Sequence, residues 1–201
     1  MRDFHKPNCS NNLISKRMSS IIKNAGYDEN VALVVTNLFT YMVKNKFFGG
    51  CHALSSALYV ALSEIGLKPI LCIGQCARDG LAPYDHSWVE LDGKIIDVAI
   101  YMPMTQLIGS VSGPVILDTD TLTMRQNETQ YGVDTGLPLD AETETVLNIP
   151  FGDYMKYFPN ESGGLWTVVK KIMPANKIFD CPVSTGKYQN VSRNLIVRKL
   201  K

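Results

Sequence analysis

The chain has 201 residues, 45% of them apolar, and its 20 Lys and Arg against 19 Asp and Glu leave a formal charge of +1. That length supports a single domain, residues 1–201, with a sizeable core. The near-neutral balance removes the bulk electrostatic case for nucleic acid or an acidic membrane surface, and no run approaches the roughly 18 apolar residues of a membrane span.

Residues 1–9 read as a loose start. From Ser10 onward Leu13, Ile14, Met18, Ile21 and Ile22 form a helical stripe, closed by Gly26. Asp28 is positioned to cap a second helix with the stripe Val31, Val34, Val35, Leu38, Phe39 and Met42. Phe47-Phe48-Gly49-Gly50 interrupts the pattern. A third helix opens at Cys51, with Leu54, Leu58, Ala61, Leu62 and Ile65 on its inner face, and Gly66 and Pro69 end it. Small residues (Ala53, Ser55, Ser56, Ala57) suit that helix to close packing on a sheet.

Strand signals follow. Ile70–Ile73 is a short apolar run. His86–Leu91 and Lys94–Ile100 flank Asp92-Gly93, the pattern of a two-residue type I′ hairpin. Residues 101–150 are rich in Thr, Asp, Gly and Pro and read as a loop-rich insertion. Leu165–Lys170 and Asn194–Arg198 read as two further strands. Helices first, then mainly antiparallel strands, give an α+β class in which the Cys51 helix packs on an antiparallel sheet. The core spans roughly residues 28–100 plus C-terminal strands within 165–200.

Five cysteines are present: Cys9, Cys51, Cys72, Cys76 and Cys181. The odd count, with no secretory signal in Met1–Asn8, argues against a disulfide framework. A cytoplasmic location is expected, and the three Asn-x-Ser/Thr matches at Asn127, Asn160 and Asn190 read as chance. Cys51 stands apart because unpaired N–H groups and the helix dipole favour thiolate at a helix start. Gly49 and Gly50 would let backbone approach a substrate and leave the Cys51 amide open as an oxyanion donor. Asn45 and Trp88 are candidates for a second donor. Cys72-x-x-x-Cys76 lacks the second ligand pair of a zinc site, so no metal is expected, and His52, about 100° around the helix from Cys51, is expected to be structural or rim-lining.

The hairpin imposes a register test. A two-residue turn pairs Leu91 with Lys94, Glu90 with Ile95, Val89 with Ile96 and Trp88 with Asp97. His86, Trp88, Glu90, Ile95, Asp97 and Ala99 then share one face, and His86 and Asp97 are diagonal neighbours about 7–8 Å apart at the backbone. A slip of one residue would separate them. A nucleophile, a base and an orienting carboxylate follow as Cys51, His86 and Asp97.

Gly50-Cys51 at a helix start, His86-Ser87-Trp88-Val89-Glu90 and Asp97 after the hairpin resemble the transglutaminase-like superfamily within the papain-like cysteine enzymes. The resemblance covers residues 45–100. It implies a papain-like α+β fold, with Cys51 as nucleophile, His86 as acid/base and Asp97 as orienter. Arylamine N-acetyltransferases share the wider group, but here Phe48 precedes the paired glycines and Cys51 follows them at once. The expected chemistry is attack on an amide or other acyl bond through a thioester, as a peptidase or amidase, with a peptide, protein or small acyl substrate and no cofactor. Alternatives are an acyltransferase, an inactive binding module on the same fold, and a redox or zinc protein built on Cys72 and Cys76. Oligomeric state is left open.

Overall fold

A computed structural model describes residues 9–104, 112–158 and 162–198. It is α+β, with seven α-helices and an eight-stranded, mainly antiparallel sheet among those residues. The helical opening follows from the apolar spacing. In α1 (Asn11–Asn24) the Ser10 hydroxyl accepts from the Leu13 N–H, and Ile14, Met18 and Ile22 are buried. In α2 (Glu29–Lys44) the Asp28 carboxylate accepts from the Asn30 N–H, and the whole expected stripe is inside. Gly26 and Gly66 have positive φ and close their helices as C′ residues.

Helix α3 (Cys51–Glu64) is buried on nearly every side. It packs on strands β1 (Ile70–Ala77) and β2 (Tyr84–Leu91), with α2 and α6 (Leu165–Ile172) also against it. Its small residues make this possible: Ala53, Ala57 and Ala61 bring neighbouring backbone close without voids. One polar tie fixes the helix on the sheet. His52 Nδ1 and Ser87 Oγ are 2.6 Å apart, and the Ser55 hydroxyl donates to the Ser87 carbonyl at 2.8 Å. The other imidazole nitrogen meets Thr143 Oγ1 at 3.3 Å.

The hairpin register is as expected where it is ladder-bonded. Leu91 pairs with Lys94 of β3 (Lys94–Asp97), Glu90 with Ile95 and Val89 with Ile96. Asp92 and Gly93 both have positive φ, as a type I′ turn requires. Val89, Leu91 and Ile96 belong to the main core with the helices, whereas Cys72, Cys76, Trp88, Val115 and Tyr131 form a smaller cluster. The alternation of side chains along β2 therefore sorts residues between two apolar environments.

Four expectations are corrected. Leu165–Lys170 is not a strand but the body of α6. Leu165, Val168, Val169 and Ile172 recur at helical spacing and are buried, and the β-branched content masked that period. The strand expected to run to Ile100 stops at Asp97. The Asp97 carboxylate accepts the Ile100 N–H at 3.1 Å and turns the chain into a 3₁₀ turn, Ala99–Tyr101. The expected strand Asn194–Arg198 is ladder-bonded only at β8 (Asn194–Leu195), with one further bridge at Arg198.

Residues 101–150 are more than loops. They supply β4 (Val115–Ile116), β5 (Thr119–Asp120), β6 (Arg125–Gln126), β7 (Gln130–Tyr131) and α4 (Ala141–Asn148). Asp120 organises the first of these turns by accepting from the Gly113, Leu122 and Thr123 N–H groups and the Ser112 hydroxyl. The sheet order is β6-β5-β4-β3-β2-β1-β7, with β8 parallel on β1. The expected loose start (Met1–Asn8) and the Asn160-Glu161 part of one Asn-x-Ser match lie outside the described residues. No helix of the described residues is long and apolar enough to cross a membrane.

The α3–β2 tie has a pH signature. Burial, reinforced by His86, lowers the His52 pKa from its usual 6.5 to about 4. The unfolded chain therefore binds more protons between these values. The contribution is whole above about pH 6.5 and lost as pH falls through 4, amounting to about 3 kcal/mol. Urea unfolding at pH 7 and pH 4 should show this loss, and His52→Gln should flatten it while lowering stability at pH 7.

Candidate active site

The three residues singled out from the sequence meet at one place. His86 Nε2 lies 2.7 Å from Asp97 Oδ2, and both side chains are buried. The thiol of Cys51 lines the same pocket as this imidazole, near enough to help raise its pKa. Since Nε2 faces Asp97, Nδ1 is the nitrogen left for Cys51. Cys51 is half-buried. It is the first residue of α3, whose N-cap Gly50 supplies no side-chain cap. The amide groups of that first turn are thus available to an incoming oxyanion.

Asp97 is held from three sides. Oδ2 also accepts the Tyr131 hydroxyl at 2.8 Å, and Oδ1 accepts the Ile100 N–H. Such donors keep a buried carboxylate oriented and satisfied. His86 responds to two opposed influences. Burial pulls its pKa down, but the charge and hydrogen bond of Asp97, with those of Cys51, outweigh burial and raise it from 6.5 to about 10. This pairing stabilises the fold in full below about pH 6.5 and fades as pH rises through about 10. Tyr131 itself is pushed well above its ordinary value, by burial first and then by Asp97.

A pocket of about 70 Å³ opens beside the thiol. Its wall is largely apolar: Ala99, Ile100, Pro103 and Met104, with Tyr84 and Asp85 opposite. The Asp85 carboxylate is already engaged by the Gln75 side-chain amide and the Asp140 N–H. Tyr84, which precedes His86 by two residues on β2, stacks edge-on against the imidazole at 5.7 Å.

Several expectations for the site change. Asn45 is not an oxyanion donor; it is the C-cap of α2, and its side-chain amide donates to the Tyr41 carbonyl at 2.7 Å. Trp88 is not one either. Its Nε1–H donates to Glu90 Oε1 at 3.0 Å, and its ring packs against Tyr131 with centroids 5.1 Å apart. It buttresses the tyrosine instead. Gly49 and Gly50 do not face open space: an added Cβ would overlap Met104 at Gly49 and the Phe47 ring at Gly50. Their smallness seats this chain's own side chains.

Tyr131, which donates to the Asp97 carboxylate, carries no signal in the sequence. It lies 34 positions from Asp97 on a two-residue strand, so no local pattern flagged it. Tyr84 was recoverable, since alternation places it on the His86 face. Cys72 and Cys76 are both buried on β1; burial raises the Cys72 thiol to about 12 and moves Cys76 well upward, which makes both inert. Among the described residues, no three His, Cys, Asp or Glu side chains group to hold a metal ion. No family model, curated protein or solved structure matches this chain.

Proposed function

We propose that the chain is a cysteine-nucleophile enzyme of the transglutaminase-like, papain-like kind, acting on an amide or related acyl bond. One observation carries this reading: the imidazole of His86 is hydrogen-bonded to the buried Asp97 carboxylate and lines the same pocket as the Cys51 thiol. A histidine with only a structural role gains nothing from a half-buried thiol at an uncapped helix start beside its second nitrogen. The apolar pocket beside Cys51 suits a small acyl group or a short apolar side chain.

The proposed reaction runs in two halves. Cys51 Sγ bonds to the carbonyl carbon with its proton already held on His86 Nδ1. The Cys51 N–H supports the oxyanion. Collapse breaks the bond to the leaving group, which departs with the proton from His86, and leaves a thioester on Cys51. Water then gives a proton to His86 and attacks the thioester, and the carboxylic acid leaves as the thiolate is restored. Asp97 keeps Nε2–H in place throughout, with Tyr131 and the Ile100 amide holding the carboxylate. An amine acceptor in place of water would give an acyltransferase on the same residues.

The direct test is labelling of the intact protein with a panel of acyl electrophiles, followed by mapping of the modified residue. Cys51 should be acylated fastest, with Cys72 and Cys76 protected. Cys51→Ala should abolish both labelling and turnover on any substrate so found; turnover that survived would end this reading.

Asp97→Asn isolates the electrostatics. With the carboxylate charge gone, burial dominates at His86. Its imidazole NMR titration should drop from about 10 to below its ordinary 6.5, and acylation should slow by roughly 10²–10⁴-fold.

A further inference from the structure

Two side chains crowd the glycines that precede Cys51. The Phe47 ring lies over Gly50 and Met104 lies over Gly49, each so close that an added Cβ would overlap it. Their surroundings differ. Phe47 packs on Phe158, just past α5 (Phe151–Tyr157), with ring centroids 5.7 Å apart, and it takes no part in the pocket beside the thiol. Met104 is a wall of that pocket.

Backbone holds Met104 in this position. The Gly49 N–H donates to the Met102 carbonyl at 2.9 Å, and Gly49 has a φ of +67°, a conformation that favours glycine. With no side chain on Gly49 to keep them apart, Met104 Cγ and Sδ come to rest against its α-carbon. Met104 is 49% exposed. One part of it faces the pocket and the rest meets solvent, so it forms the outer wall.

The size of the pocket bounds what it holds. A cavity of about 150 Å³ with aliphatic and aromatic walls takes a benzene ring. The pocket beside Cys51, at about 70 Å³, has about half that volume, which is room for a chain of about three carbons and not for a six-membered ring. The walls bound its polarity. The one carboxylate among the lining residues, Asp85, already accepts from Gln75 and Asp140, and the imidazole of His86 is bonded to Asp97. Ala99, Ile100, Pro103 and Met104 offer only apolar contact, which suits an uncharged hydrocarbon tail.

We propose that this pocket selects short, neutral, unbranched acyl groups, up to the four-carbon butyryl group, and that Met104 is the residue limiting their length. The proposal rests on the reading of Cys51 as nucleophile. The carbonyl carbon bonds to Sγ, and the alkyl tail runs along Ala99 and Ile100 toward the Met104 thioether. With an ester as donor, the Sγ–C bond forms, the ester C–O bond breaks, and the alcohol leaves with the proton from His86.

The test is the initial rate of p-nitrophenol release by the full chain from p-nitrophenyl acetate, propionate, butyrate, hexanoate and benzoate. Each rate is divided by that of the same ester with free N-acetylcysteine, and peptide mapping identifies the acylated residue. A buried methylene is worth about fourfold, so the normalised rate at Cys51 should rise by about tenfold or more from acetate to butyrate. Overfilling should then lower it by about tenfold for hexanoate and benzoate. Met104→Ala should raise the hexanoate-to-butyrate ratio by about tenfold. An acylated Cys51 with a flat profile from acetate to benzoate would overturn the proposal while leaving the nucleophile in place, and so would a Met104→Ala profile equal to that of the wild type. Absence of Cys51 acylation by every ester would overturn the proposal together with the reading on which it rests. If Met104→Ala failed to fold, the wild-type profile would still decide.

Discussion

The bond between His86 and Asp97 is the constraint around which the sheet is arranged. Both groups are buried, and a buried ion pair is tolerated only when its remaining lone pairs and protons are satisfied. The structure meets that condition with contributions from distant parts of the chain. The 3₁₀ turn after β3 supplies an amide and β7 supplies a phenol, and the first residue of α3 sets its thiol in the pocket beside the imidazole. Trp88 backs the phenol, and its own indole N–H is held by Glu90, which is in turn paired with Arg198. A run of polar and ring contacts thus leads from the exposed Arg198 of the C-terminal segment inward to the imidazole.

Helix α3 plays a different part. Buried almost throughout, it links the sheet to α2 and α6, and its position is fixed by packing and by the His52–Ser87 contact. Only its first residue would take part in the proposed chemistry. A nucleophile mounted there would be held still by the whole core, which is the rigidity that attack at a defined distance requires.

How far the sequence could be read depends on the range of each interaction. The Asp92-Gly93 turn fixes register locally, and register fixes which residues share a face, so His86 and Asp97 could be paired from the chain alone. Cys51 was legible because two glycines and a helical stripe mark a helix start. Tyr131 and Arg198 were not, since each reaches its partner across long stretches of chain and sits on a segment of one or two paired residues. Strands β4 to β7 were missed for the same reason: two residues leave no alternation to detect. The α6 segment shows a conflict of signals. Its Val and Ile residues favour strand by propensity, while their spacing favours helix, and burial against α3 decided in favour of spacing.

The brevity of β7 has a consequence for motion. Two ladder pairs on β1, extended by the Val133 and Arg198 amides, hold Tyr131 in place. Local opening is governed by how many such bonds must break together. The tether on the carboxylate is therefore the part of the site that comes undone first, well before the long β1–β2 ladder that carries His86. Amide exchange along the sheet would be graded accordingly, and the imidazole would keep its partner through excursions that briefly release the phenol.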